Sequence, residues 1–171
     1  METVLLYIAA AVSLVATMLV ISRTNASHAL IYLIVSLLAV AVIFYLLGAP
    51  FASALEIVIY AGAIMVLFLF VVMMLNLGRG AVEQEQAWLQ GRMWIGPAIL
   101  TLVLFGEFLY ILVGTPGATS GVAVPPKQVG EALFSTYLLA VELASVLLLA
   151  ALVGAYHLGR RYMRARREEI A

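Results

Sequence analysis

Residues 52–77 read ASALEIVIYAGAIMVLFLFVVMMLNL, and Glu56 is the one charged side chain among them. At 1.5 Å per residue a straight helix of this run is about 39 Å long, against about 30 Å for the hydrocarbon core of a bilayer. Its apolar residues do not alternate with polar ones, so neither a half-buried strand nor a strand of a membrane barrel fits. The run predicts a membrane-spanning helix whose excess length is taken up by tilt or by a local bulge.

The rest of the chain repeats the pattern. Of 171 residues, 65% are hydrophobic and 11% charged, with nine Lys/Arg balanced by nine Glu. Soluble domains carry about 25% charged residues, so this composition excludes a soluble enzyme. Disordered chains lack the large apolar residues that dominate here. Zero net charge leaves no basic footprint for nucleic acid. Having no Cys removes disulfides, thiolate nucleophiles and iron–sulfur ligation.

What remains is an all-α integral membrane bundle of five transmembrane helices, a single membrane domain with spans expected over residues 4–21, 29–47, 52–77, 94–113 and 134–158. Ser22-Arg23-Thr24-Asn25 and Gly48-Ala49-Pro50 punctuate the first three. A polar loop over 78–93 precedes the fourth span, and a Gly/Pro/Ser/Thr-rich loop over 114–133, expected to be non-helical, precedes the fifth. Met1-Glu2-Thr3 lacks a basic n-region, so the first span is not read as a cleaved signal peptide.

Arg23, Arg79, Arg92, Arg160, Arg161, Arg164, Arg166 and Arg167 fall on one side of such a bundle and Lys127 on the other. The positive-inside rule then places the N-terminus outside (periplasmic) and the basic tail 159–171 in the cytoplasm. That tail reads as a stop-transfer anchor that meets anionic headgroups. Trp88 and Trp94 flank the start of the fourth span, as interfacial aromatics do.

Chemistry-bearing residues are few. His28 and His157 stand at cytoplasmic span ends and read as interfacial polar residues rather than haem ligands. Neither a metal-ligand spacing, a phosphate-cradling loop nor a Ser/His/acid set is present in the sequence. Glutamates inside spans are therefore the informative groups, because charge at membrane depth is costly. Ser53-Ala54-Leu55-Glu56 matches a capping box, and a proton-relay role for Glu56 stays open beside capping. Glu107, with Tyr110 one turn on, reads as snorkelling to the outer interface. Glu142 shares a helix face with Leu138, Ser145 and Leu149 and meets no cation, which leaves protonation, hydration or a partner subunit. Tyr60-Ala61-Gly62-Ala63, with Tyr60 four residues after Glu56, reads on physical grounds as a helix-packing notch.

Residues 55–77 of the third span nevertheless resemble the third span of the subunit J family of bacterial NADH–quinone oxidoreductase (respiratory complex I), counterpart of mitochondrial NADH dehydrogenase chain 6. The resemblance extends through NASHALIYLIVSLL (25–38), WIGPAIL (94–100) and LAVELASVLLL (139–149), with the same five-span layout. It implies a membrane-arm subunit of a redox-driven proton pump, a translocase of the bacterial inner (cytoplasmic) membrane's electron-transport chain, near the quinone junction. The implied partners are the H, K, A and N subunits and the lipid bilayer. No cofactor is expected on this chain; NADH, FMN, iron–sulfur clusters and quinone belong to other subunits. The family's third span can carry a π-bulge, whose conversion to regular helix is thought to connect and disconnect a water path. Carried over, Tyr60 and Gly62 are the hinge, Met65, Val66 and Phe68 the apolar residues that block or admit water, and Glu56 and Glu142 the candidate proton path. The alternatives are a membrane subunit of a related cation/proton antiporter complex and a purely structural assembly subunit. A stand-alone transporter is disfavoured, since no internal repeat pairs broken helices.

Overall fold

In the computed structural model, residues 2–23, 26–75, 91–113 and 123–170 are described. Arg79, Trp88, most of the loop expected over 78–93 and the first half of that over 114–133 lie outside them. The described elements are all helical: α1 (Glu2–Ser22), α2 (Ala26–Leu46), α3 (Pro50–Leu55), a π-helical stretch (Glu56–Ile64), α4 (Met65–Leu75), α5 (Gly91–Val113), α6 (Pro126–Leu133) and α7 (Leu138–Ile170). Five helices are long and apolar enough to cross a membrane: Thr3–Ser22, Ala26–Leu46, Pro50–Met74, Trp94–Val113 and Leu138–Arg160. The chain divides into two compact units, Met1–Pro125 and Pro126–Ala171.

In the first unit α2 is the central element, packed against α1, the third span and α5. Lipid supplies no hydrophobic drive between helices, so close backbone approach must hold them. Ala9, Ala16, Ala39 and Ala41 are fully buried, which is what close approach needs. Val12, Ala16, Val35, Ala39 and Leu104 form the core, with Leu38, Val42 and Leu100 against it. Beside that core the Thr17 hydroxyl lies 2.9 Å from Ser36 Oγ and donates to the Ser13 carbonyl at 2.8 Å; Ser13 Oγ lies 3.3 Å from Ser36 Oγ. Cutting Leu104 to alanine should destabilise the bundle by about 2 kcal/mol, at the low end for a buried leucine because the surrounding lipid removes most of the transfer contribution. Thermal unfolding in detergent reads this as a lowered midpoint, and an unchanged midpoint would place the core elsewhere.

The turn between α2 and α3 overturns the expected capping box. Gly48 takes φ 83°, its N–H bonds to Tyr45 O at 3.0 Å, and Ala49 N–H bonds to Phe44 O at 2.9 Å. That pair of bonds is a Schellman closure, which requires the left-handed residue that glycine supplies. Pro50 opens the next helix directly, with Ala49 as its N-cap and no side-chain cap. Ser53 is buried within the first turns, its N–H on Ala49 O at 3.0 Å, so Ser53 and Glu56 lie too far into the helix to cap it.

The second unit corrects two boundaries. Residues 126–133, expected to be irregular, form the short helix α6, opened by Pro126 and carrying an exposed Lys127–Glu131 pair at 3.7 Å. The last long helix begins at Leu138 rather than Phe134, because residues 134–137 turn. There the Ser135 hydroxyl donates to the Glu131 carbonyl, and Tyr137 N–H reaches Ala132 O at 3.0 Å, a wider loop than an α-turn. α7 then continues as helix through the basic residues to Ile170.

Candidate functional site

The third span is not a uniform helix. It opens as α3, widens at Glu56 into nine residues of π-helix, and closes again at Met65. Three consecutive β-branched residues, Ile57, Val58 and Ile59, crowd an α-turn, and Ala61-Gly62-Ala63 leaves room for a wider one. The change of ladder is visible at the exit, where Met65 N–H bonds to Tyr60 O and Gly62 O instead of the Ala61 carbonyl four residues back. π-Helical turns are rare, and those that occur concentrate at functional sites.

Gly62 stands at a close backbone approach within this stretch. A Cβ added there would lie 3.1 Å from Ile57 O, a backbone atom held within the π stretch. Glu56 is the first π-helical residue and half-buried. Tyr60 is 52% exposed, and no hydrogen bond joins it to Glu56. Beyond the π stretch the expected water-blocking residues separate. Met65 is buried at 7% exposure, while Val66 and Phe68 face outward at 59% and 52%. Met65, Leu69 and Val72 are the inward stripe of α4, and Leu67, Phe68 and Val71 lie on its outer side. Tyr60 and Gly62, expected to form a hinge, thus share one distorted segment with Glu56, and Glu142 stands in the second unit, exposed on α7.

One polar residue was misjudged from sequence and another is more enclosed than its span-end position suggests. His28, at the start of α2, is buried at 4% exposure, its ring edge-on to Trp94 with centroids 6.4 Å apart. Tyr32, one turn along α2, is also buried, with the Arg23 guanidinium 5.4 Å from its ring centre and its hydroxyl against Gly96. Glu107 does not snorkel: it is 5% exposed, and neither carboxyl oxygen has a hydrogen-bond partner among the described residues. Pro97, Leu100, Leu104, Glu107 and Ile111 make up the inward face of α5, a three-four repeat that the sequence hides because apolar residues fill the other faces as well.

Among the described residues no group of three His, Cys, Asp or Glu side chains is placed to hold a metal. What the third span offers is a backbone of altered register at membrane depth, flanked by a carboxylate and a phenol.

Comparison with known proteins matches residues 16–158 to the family model described as NADH-ubiquinone/plastoquinone oxidoreductase chain 6. NADH-quinone oxidoreductase subunit J of Pseudomonas aeruginosa is 60% identical over 157 residues, covering 91% of this chain and 95% of that protein. The subunit J of Escherichia coli K12 is 54% identical over 155 residues, covering 90% of this chain and 84% of its own. That of Buchnera aphidicola from Schizaphis graminum is 47% identical over 155 residues, covering 90% and 95%. With five helices fit to span a membrane and this likeness along nearly its whole length, the chain belongs to the subunit J (chain 6) family, multi-pass membrane subunits of NADH–quinone oxidoreductase.

Proposed function

We propose that the third span is a two-state element of a proton-translocating complex, connecting and disconnecting a water path near the quinone junction. The π-helical stretch Glu56–Ile64 carries this reading. A bulge leaves backbone groups displaced from the regular ladder, where water or a hydroxyl satisfies them. Its conversion to α-helix turns everything beyond it by about 100°, the angle of one residue. Met65 then points where Val66 points now, and the inward stripe Met65, Leu69 and Val72 gives way to Ile64, Phe68 and Val71. Ile64 takes the place of the flexible Met65 and the Phe68 ring that of Leu69, a change in how the apolar lining packs and admits water. Two helix states separated by a few kcal/mol are within the reach of events at a quinone site.

In this reading the N-terminus is periplasmic and the basic end of α7 cytoplasmic, in a bacterial inner membrane. The neighbours are the H, K, A and N subunits. NADH, FMN, iron–sulfur clusters and quinone are handled by other subunits, and this chain contributes Glu56 and Glu142 as polar stations. The absence of native Cys makes engineered cysteines unique labels in this chain. Phe68→Cys should lose maleimide reactivity when NADH drives turnover, and Leu69→Cys should gain it. Reactivities that stay constant between the resting and working enzyme would end the rotation model. A Glu142→Gln complex should pump more than a Gly62→Leu complex, measured as NADH-driven acidification of inverted vesicles. Complete loss from the glutamate change alone would move the essential step to α7.

A further inference from the structure

Glu107 is outside the third-span switch and is the most demanding side chain in the bundle. It sits on the inward face of α5, one turn beyond the core residue Leu104, at 5% exposure with both carboxyl oxygens unpartnered among the described residues. Its burial comes from this chain's own helices. Burying an ionised, unpaired carboxylate at membrane depth is so costly that the group takes up a proton instead. Among the described residues no cation pairs with it. α1 offers Tyr7, which is exposed, and α2 carries Tyr45 near its far end, also exposed. His28 and Tyr32 are buried at the other end of α2, where the Tyr32 hydroxyl lies against Gly96, eleven residues and about 16 Å along α5 from Glu107. Tyr110, on α5 itself, is half exposed.

A permanently neutral filler is a poor use of this position, because an apolar residue would pack there at no polar cost. The bundle also contains groups chemically able to relay protons. Ser13, Thr17 and Ser36 form a hydroxyl cluster beside the core that contains Leu104. Each hydroxyl can donate and accept, so the cluster can pass a proton without itself becoming charged.

We propose that Glu107 is a proton-binding site of this chain, loaded as the neutral acid in the resting enzyme and unloaded and reloaded during turnover. The step is a simple exchange. The carboxylate oxygen gains a proton from hydronium, directly or through a hydroxyl or water that takes up another proton as it passes one on, and later returns it by the same route. This rests on the chain working in a proton-translocating complex, and is independent of the third-span switch.

Infrared difference spectra of the whole complex, oxidised minus NADH-reduced, report it directly. The wild type should show a carboxylic-acid carbonyl band that shifts in heavy water, and Glu107→Gln, which keeps size and neutrality, should assemble but lose that band. The same variant should lose protons pumped per NADH while retaining quinone reductase activity. Absence of the band from the wild type, its persistence in Glu107→Gln, or full pumping by that assembled variant would each overturn the proposal. A Gly62→Leu complex recorded alongside separates the two ideas. Full pumping there, with the band still tied to Glu107, ends the switch and leaves this site standing.

Discussion

Replacement of Gly62 by leucine should abolish NADH-driven proton pumping in a complex that still assembles. Two effects act in the same direction. A Cβ at this position would sit 3.1 Å from Ile57 O, and that oxygen belongs to backbone that cannot swing aside as a side-chain tip would. Glycine is also about 1 kcal/mol worse than alanine in a regular helix, so its removal stabilises the α form as it strains the π form. One or two kcal/mol changes a two-state ratio by about 5- to 30-fold, enough to hold a poised element in one state. Gly62→Ala should therefore weaken pumping and Gly62→Leu stop it, with protons moved per NADH measured in reconstituted vesicles and assembly checked on native gels. Full pumping by an assembled leucine variant would remove the π stretch from the mechanism.

The second large effect is expected at Gly96. Its would-be Cβ position is already occupied by the Tyr32 hydroxyl, with the ring's Cζ 3.3 Å away. Tyr32 is 2% exposed and has the Arg23 guanidinium over its ring, so the phenol has nowhere to retreat. Gly96→Ala should cost about 1–3 kcal/mol by overpacking, and Gly96→Val should prevent the subunit from accumulating. Removing the hydroxyl opens the space, so Tyr32→Phe should partly rescue Gly96→Ala. A double-mutant cycle on thermal stability in detergent gives the answer, and additive effects at two sites in contact would contradict the packing described.

Much of this architecture was written in unbroken apolar runs. Five helices of spanning length follow from hydropathy alone, because a bilayer rewards nothing else at that composition. Their ends were less legible. Gly48 signals a turn in any reading, yet the choice between a helix starting at Pro50 and one capped by Ser53 is made by the Schellman bonds at Phe44 and Tyr45. α6 was hidden in a stretch whose composition suits a loop, its helix supported by Pro126 and the Lys127–Glu131 spacing. For the candidate site, the small residues around Gly62 marked where the third span is unusual, but packing notch and π-helix share that signature. The excess length left a bulge open beside tilt, and the family resemblance put it at Tyr60 and Gly62. Glu107 was misread by counting turns from the end of its helix; α5 is apolar on every side, so only its packing against α1 and α2 shows that the face shared with Pro97, Leu100 and Leu104 turns inward.

The hydroxyls of Ser13, Thr17 and Ser36 have a bearing on how the protein is made. They join α1 and α2, which leave the ribosome before α5 and pack closely along their length. Apolar helices in lipid slide past one another with little penalty, whereas a displaced register here would part Ser36 on α2 from Ser13 and Thr17 on α1 and leave its hydroxyl without those partners in hydrocarbon. The α1–α2 hairpin can therefore settle into its final alignment before α5 has been synthesised. Later helices then insert against a finished template, and an error in the third span is confined to the third span.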